Sequence, residues 1–235
     1  TITVLDEIVE SQSYAVCSGE SIVVGGQSFQ NSGQFEVVLN SFQGCDSTIM
    51  VDIEVIDVEA YIDPPAAISC LFPEITLDGS LSTGSYGIST FFWSTFNGLI
   101  LTNPMSPSVS VGKGGTYQLL VSTDANGVIC YDSLSVTVPY DTISPDFTIL
   151  KPDPLSCQDS ILQLQAVLNN LPLGGSLDWI TFDGFILSGH NSLNPTVKGT
   201  GTYTLIVTNP ENGCTATRSV DVVSDTLKPV LALIA

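Results

Sequence analysis

Phe92-Trp93-Ser94-Thr95-Phe96-Asn97-Gly98-Leu99-Ile100-Leu101 returns 86 positions later as Asp178-Trp179-Ile180-Thr181-Phe182-Asp183-Gly184-Phe185-Ile186-Leu187. Gly115-Thr116-Tyr117 returns at the same offset as Gly201-Thr202-Tyr203. Farther along, Cys130 meets Cys214 and Asp141-Thr142 meets Asp225-Thr226 at an offset of 84, while Cys70 and Cys157 stand 87 apart. A near-constant period means one structural unit copied, with length differences confined to loops. The first third is a shorter relative: Cys17, then Gly33 to Leu39, then Gly44-Cys45-Asp46-Ser47 leading into Thr48 to Val55, with no tryptophan segment. Thr1 to Val4 resembles the closing strand of a preceding unit, and Pro229 to Ala235 mirrors the opening strand Pro145 to Leu150. The expected organisation is an end strand at 1–10, a short β repeat at 11–57, long repeats at 58–144 and 145–228, and the first strand of a further repeat at 229–235.

Within the repeats, Tyr117 to Ser122, Tyr203 to Thr208 and Arg218 to Val222 are rich in β-branched and aromatic residues and alternate partly with period two. Helical periodicity appears nowhere, and Asp-Gly, Asn-Gly, Pro and Ser clusters punctuate the chain about every ten residues. The predicted class is all-β, a tandem of disulfide-stapled sandwiches. Each long repeat, at about 85 residues and roughly seven strands, has the size of an immunoglobulin-like domain.

Composition removes several functions. Acidic residues number 24 against 5 basic ones, a net charge of −19, so nucleic acid is excluded as a partner by repulsion from its phosphates. Charged residues are 12% of the chain and hydrophobic ones 43%, with a mean hydropathy of +0.35, which is the composition of a folded chain. No apolar run approaches the ~20 residues of a membrane span, so no membrane insertion is expected in this segment.

Six cysteines fall two to a unit, with one histidine and no C-x-x-C, which is disulfide arithmetic and not a zinc site. Fifteen pairings are possible. Units copied whole are expected to close their bonds internally, which gives Cys17–Cys45, Cys70–Cys130 and Cys157–Cys214. Such bonds imply an oxidising, extracellular setting.

Leu77-Asp78-Gly79-Ser80, Phe92-Trp93, Asn97-Gly98, Gly115-Thr116-Tyr117 and Cys130 together resemble the PKD-like and immunoglobulin-like repeats of giant Bacteroidetes surface proteins. The last unit fits equally well, and the first, with Cys17-Ser18-Gly19-Glu20-Ser21 and Gly44-Cys45-Asp46-Ser47, is similar to the shorter repeat that accompanies them. Where the PKD pattern continues with an acidic Gly-Asp-Gly turn, this chain has Phe96-Asn97-Gly98 and Phe182-Asp183-Gly184. The resemblance implies type IX export, cell-surface attachment and a part in adhesion, gliding or appendage formation. An Asp followed by Ser or Thr, at Ser47, Ser133, Thr142, Ser160 and Thr226, resembles the O-glycosylation acceptor of exported Bacteroidetes proteins. The competing reading is that Asp-Ser and Asp-Thr favour turns and strand starts.

Candidate chemistry is thin. His190 stands in a Gly, Asn and Ser loop, and Asp178 and Asp183, which flank Trp179, fall on opposite faces of a strand. No nucleophile elbow, zincin or phosphate-loop motif is present, so no enzyme is expected. Trp93 and Trp179 have two readings, platforms for sugar rings or core residues, and their position between two cysteines favours the core, with Tyr117 and Tyr203 as packing residues. Carboxylates gather at the unit junctions, notably Asp57 and Asp63 at the first and Asp141 and Asp146 at the second. They would suit calcium, the one cofactor considered, or simply keep a charge-poor surface soluble. Large uncharged faces favour homo-oligomer formation or lateral self-association, with a surface glycan or protein as a further ligand. The expected function is a non-enzymatic stalk, fibre or adhesive appendage. The alternative is a carbohydrate-binding accessory region of a secreted polysaccharide-degrading enzyme, and exposure of the two tryptophans separates the two.

Overall fold

In strand Gly115–Ala125, Tyr117, Leu119 and Val121 are fully buried while Thr116, Gln118 and Leu120 face out. That period-two pattern belongs to a sheet with one wet face. The computed structural model describes residues 9–39, 47–156, 160–170 and 174–225, and no helix occurs among them.

Strand Gly115–Ala125 lies between Thr90–Thr95 and Val128–Val138, antiparallel to both. A second sheet, Leu99–Ile100, Ser108–Lys113 and Ile75–Asp78, supplies Leu77, Val109 and Val111, which are as buried as Trp93 and Leu119 of the first. The last repeat copies the arrangement. Gly201–Thr208 lies between Ser176–Thr181 and Thr215–Val222, and Ile161–Gln163, Thr196–Lys198 and Phe185–Ser188 form the other sheet. Its core of Phe147, Leu164, Trp179, Val197, Tyr203 and Leu205 draws on both sheets, so each long repeat is an immunoglobulin-like sandwich. Burying an indole removes roughly 200 Å² from water and stabilises by on the order of 4 kcal/mol, which makes each tryptophan a principal anchor of its sandwich.

In the short repeat, Val9–Cys17 runs parallel to Ser47–Ile56, which pairs antiparallel with Gly33–Leu39. A hairpin joins Ile22–Val24 to Gln27–Phe29 through Gly25 and Gly26, both at positive φ (59° and 82°), as a two-residue turn of the primed kind requires. Val16, Val24, Phe29, Val37, Val51 and Ile53 form its core. Strand Val9–Cys17 runs through the boundary expected between 10 and 11. Residues 1–8 and the strand expected at 229–235 lie outside the described residues.

The chain divides into two compact units. One holds the described residues up to Ala67 together with Glu74–Pro139; the other holds Ile68–Pro73 together with the described residues from Tyr140 onward. The short repeat and most of the first long one therefore share a unit, while Ile68–Pro73 and residues 140–144 of the first long repeat belong to the unit of the second.

The disulfides follow this division and correct the expected pairing. They are Cys17–Cys130 and Cys70–Cys214, with Cα separations of 5.5 and 4.9 Å, spanning 113 and 144 positions. Cys17–Cys45, Cys70–Cys130 and Cys157–Cys214 are all overturned, because each requires a cysteine that is bonded elsewhere. Cys45 and Cys157 themselves lie outside the described residues. The physical reason is local packing. Cys17 is in register with Ile56, and Ile56 is buried with Ala125 and Cys130 in one apolar cluster that Cys17 also touches. Cys70 follows Ile68–Ser69, which runs parallel to Tyr140–Asp141. Beside it the Leu71 N–H donates to the Asn212 carbonyl at 2.9 Å. Gly213, at φ +72°, leaves room for Leu71, whose Cβ would stand 2.7 Å from any Cβ added there. The opening cysteine of a repeat thus meets the hairpin cysteine of the repeat after it.

Candidate functional site: a pinned turn bearing an exposed phenylalanine

The turn that follows each core tryptophan is built on the same plan in the two long repeats. Thr95 Oγ1 donates to the Thr116 carbonyl at 2.7 Å and accepts the Gly98 N–H at 2.9 Å. Asn97 Oδ1 accepts the Thr116 N–H at 2.8 Å, and the buried Tyr117 hydroxyl accepts the Leu99 N–H at 2.9 Å while donating to the Lys113 carbonyl. In the second copy Thr181 Oγ1 donates to the Thr202 carbonyl (2.8 Å) and accepts the Gly184 N–H (3.0 Å). There Asp183 Oδ1 accepts the Thr202 N–H (2.8 Å), and Tyr203 accepts the Phe185 N–H (3.1 Å) with the Lys198 carbonyl at 2.9 Å. Gly98 and Gly184 are required by close approach, since any Cβ there would overlap the tyrosine hydroxyl beneath. At the tip of this fixed turn stand Phe96 and Phe182, 109% and 99% exposed. A rigid backbone presenting an uncovered aromatic ring is the arrangement of an interaction anchor, because little conformational entropy remains to be lost on contact.

Both phenylalanines were absent from the expected site residues. Phe-Asn-Gly and Phe-Asp-Gly read as the end of an apolar strand running into a turn. The available signal was that Phe96 and Phe182 fall beyond the last residue in pleat register with the buried tryptophan.

Trp93 and Trp179 are 1% and 2% exposed, and their Nε1–H groups donate to the carbonyls of Ser106 and Ser192 at 3.1 and 2.9 Å. Neither offers a face to a sugar. Tyr117 and Tyr203 are fully buried. The His190 side chain is exposed, and its carbonyl accepts the Trp179 N–H at 2.7 Å. Asp178 is exposed, whereas Asp183 is engaged in pinning the turn.

Of the four aspartates considered for calcium, Asp57 and Asp63 belong to one compact unit and Asp141 and Asp146 to the other. Asp141 Oδ1 accepts from the Asn212 amide at 2.9 Å. Asp146 accepts from the Asn169 amide at 2.9 Å and from Arg218 at 3.1 Å. The Asn169 amide, and then Arg218, hold its carboxyl below the usual aspartate range. Among the described residues no three His, Cys, Asp or Glu side chains stand close enough to share a metal ion. A cleft of about 510 Å³ is lined by Asp141, Asn169, Asn170 and Glu211 together with Ile143 and Pro145. Of the hydroxyls in the Asp-Ser and Asp-Thr pairs, Ser133 and Ser160 are exposed, Ser47 and Thr142 are half-buried, and Thr226 lies outside the described residues. No helix among the described residues is long and apolar enough to cross a membrane.

No protein-family model matches the chain, and no curated protein matches it. Solved structures with a similar course include extracellular domains 3–5 of Drosophila OTK, at 13% identity over 88% of this chain and 78% of that one, with a TM-score of 0.31. The three N-terminal domains of the bacteriophage RB49 highly immunogenic outer capsid protein match at 10% identity over 83% of this chain and 80% of that one, with a TM-score of 0.38. The Ig1–Ig3 ectodomain of mouse nectin-like molecule 4 matches at 12% identity over 85% and 76%, with a TM-score of 0.32. These superpositions are too loose to carry an argument, and the fold rests on the strand pairing above.

Proposed function

We propose that this chain is a non-enzymatic, tension-bearing segment of an extracellular repeat protein, a stalk or surface appendage that holds an adhesive end at a distance. The observation that carries the reading is the interleaving of its disulfides. Cys70 falls between Cys17 and Cys130, and Cys130 falls between Cys70 and Cys214. Pulled to full length, the span from Cys17 to Cys214 is limited by the about 50 residues up to Cys70 and then the bond, roughly 180 Å, instead of about 200 residues and roughly 700 Å. Loss of Cys17–Cys130 leaves that path intact, and loss of Cys70–Cys214 leaves a path of about 85 residues through the other bond. Extension is released only when both are broken. In a chain-entropy description each bond also contributes about 4–5 kcal/mol, since both loops exceed 100 residues.

Cys70 and Cys157 open their repeats at equivalent positions, and Cys130 and Cys214 are equivalent in turn. Extended as a rule, the opening cysteine of one repeat bonds the hairpin cysteine of the next. Type IX export, surface attachment and O-glycosylation belong to this reading through the resemblance of the repeats. Self-association of such stalks belongs to it through their uncharged faces. The sugar-binding alternative has no exposed tryptophan to rest on.

Single-molecule pulling tests the proposal. With handles outside Cys17 and Cys214, reduction is expected to lengthen the unfolded chain by roughly 500 Å, Cys70→Ala alone by roughly 100 Å, and Cys17→Ala alone by nothing measurable. Full release on loss of one bond would overturn it.

A further inference from the structure

We propose that the cleft at the hairpin end of the second long repeat binds a neutral hexose unit of a glycan. Its walls come from three places within one compact unit: the run from Asp141 to Pro145, the end of strand Ala166–Asn170, and the hairpin residues Asn209 and Glu211. At about 510 Å³ it has the size of a small-molecule site. Asn209 is the residue that points to a ligand. It is 6% exposed, its Oδ1 accepts the Glu211 N–H at 3.0 Å, and its Nδ2 has no hydrogen-bond partner among the described residues. Because the Glu211 N–H fixes the orientation of the amide, the free end is a donor. Buried donors are nearly always paired in folded proteins, and one left open at a cleft calls for an acceptor from outside.

Charge narrows the occupant. Asp141 and Glu211 line the same cleft and no lysine, arginine or histidine does, so an anion is repelled. A metal cation would have to face the Asn209 N–H bonds, and among the described residues no third carboxylate stands close enough to complete a site. A hydroxyl suits both kinds of wall, because it accepts from an amide while donating to a carboxylate. Adjacent hydroxyls of a pyranose ring supply both contacts, and the C–H face of the ring matches Ile143 and Pro145. Neither tryptophan takes part. The first long repeat fills the equivalent position. Thr123 stands opposite Cys130 as Asn209 stands opposite Cys214, and Thr123 is fully buried, its Cβ 3.2 Å from where a Cβ on Gly84 would lie. A cleft in one copy and a filled position in the other mark a feature added to the copied frame.

The inference adds a binding site to the stalk reading and rests on none of its disulfide evidence. Titration of the full chain with methyl α-glucoside, methyl α-galactoside and methyl α-mannoside tests it, with NMR following the Asn209 side-chain amide and the Ile143 backbone N–H. Saturable movement of both signals with at least one of the three sugars is expected, at a dissociation constant of roughly 1–10 mM for a single ring. Asn209→Thr, which copies Thr123 and removes the donor, should weaken binding about tenfold as read at Ile143. Glu211→Ala, which removes an acceptor, should weaken it by a similar factor, about tenfold, and keep the wild-type melt because Glu211 is exposed. That second variant decides the matter if the first fails to fold. No movement with any of the three sugars, or binding of wild-type strength in either folded variant, would overturn the proposal. So would a response to calcium chloride below about 1 mM with none to sugar, which would make the cleft a cation site. A response confined to a blocked triglycine would make peptide the occupant and overturn it equally. None of these outcomes bears on the pulling experiment.

Discussion

The turn after Trp93 is fixed by Asn97 and the turn after Trp179 by Asp183, yet both residues do the same thing: an Oδ1 accepts the N–H of the threonine before the buried tyrosine, at 2.8 Å in each copy. The pin needs an oxygen acceptor on a short side chain, and amide and carboxylate both supply one. Around this shared frame the outer faces diverge. Phe92 of one repeat is Asp178 in the other, and Leu134, in register with Leu119, is matched by Arg218, in register with Leu205. Most of what is copied holds backbone or fills the core, with Phe96 and Phe182 the exposed exception; what varies lies on the outer faces. Arg218 shows the second kind of freedom. It pairs with Asp146 and lies 5.5 Å from the centre of the Phe147 ring, contacts that Leu134 cannot make.

The largest expected effect breaks the shared frame. Trp93→Ala and Trp179→Ala should each cost about 3–5 kcal/mol, the range for truncating a buried aromatic, with calorimetry showing the altered unit melting first. A loss under about 1 kcal/mol for either would mean that the two cores are not equivalent. Next come Tyr117→Phe and Tyr203→Phe. Each removes a buried hydroxyl that ties the N–H after the turn to a carbonyl at the end of a strand in the other sheet, so urea unfolding should show about 1–3 kcal/mol lost in both repeats. Unequal losses would show that one turn is held by other means.

The smallest effect sharpens the difference between the repeats. Because the folded Asp146 carboxyl lies below the ordinary aspartate value, its contribution is present above about pH 4 and disappears as pH falls through the lowered value. Asp146→Asn should flatten the acid side of the stability profile slightly in that unit alone. An unchanged profile would show that its bonds to Asn169 and Arg218 contribute nothing.

Much of this architecture was legible in the sequence. The offset between Trp93 and Trp179 aligns the cores, and the alternation in Tyr117 to Ser122 and Tyr203 to Thr208 marks the strands at the centre of each first sheet. The disulfide partners were not legible, because a sequence repeat need not coincide with a packed unit. Ile68–Pro73 belongs by sequence to one repeat and by packing to the next, and nothing in Ser69-Cys70-Leu71 announces that Leu71 will meet Asn212 and Gly213. Val9–Cys17 likewise finds its partner in Ser47–Ile56, nearly forty positions on, a pairing no local pattern announces. Exposure of Phe96 and Phe182 was hidden because composition describes an aromatic residue equally well inside a core or at the tip of a turn.

Non-reducing digestion with mass spectrometry of the native, alkylated chain is the most direct test of the interleaved bonds. Linked peptides containing Cys17 with Cys130 and Cys70 with Cys214 are expected. Peptides linking Cys17 to Cys45, or Cys70 to Cys130, would contradict the interleaving and with it the limit on extension.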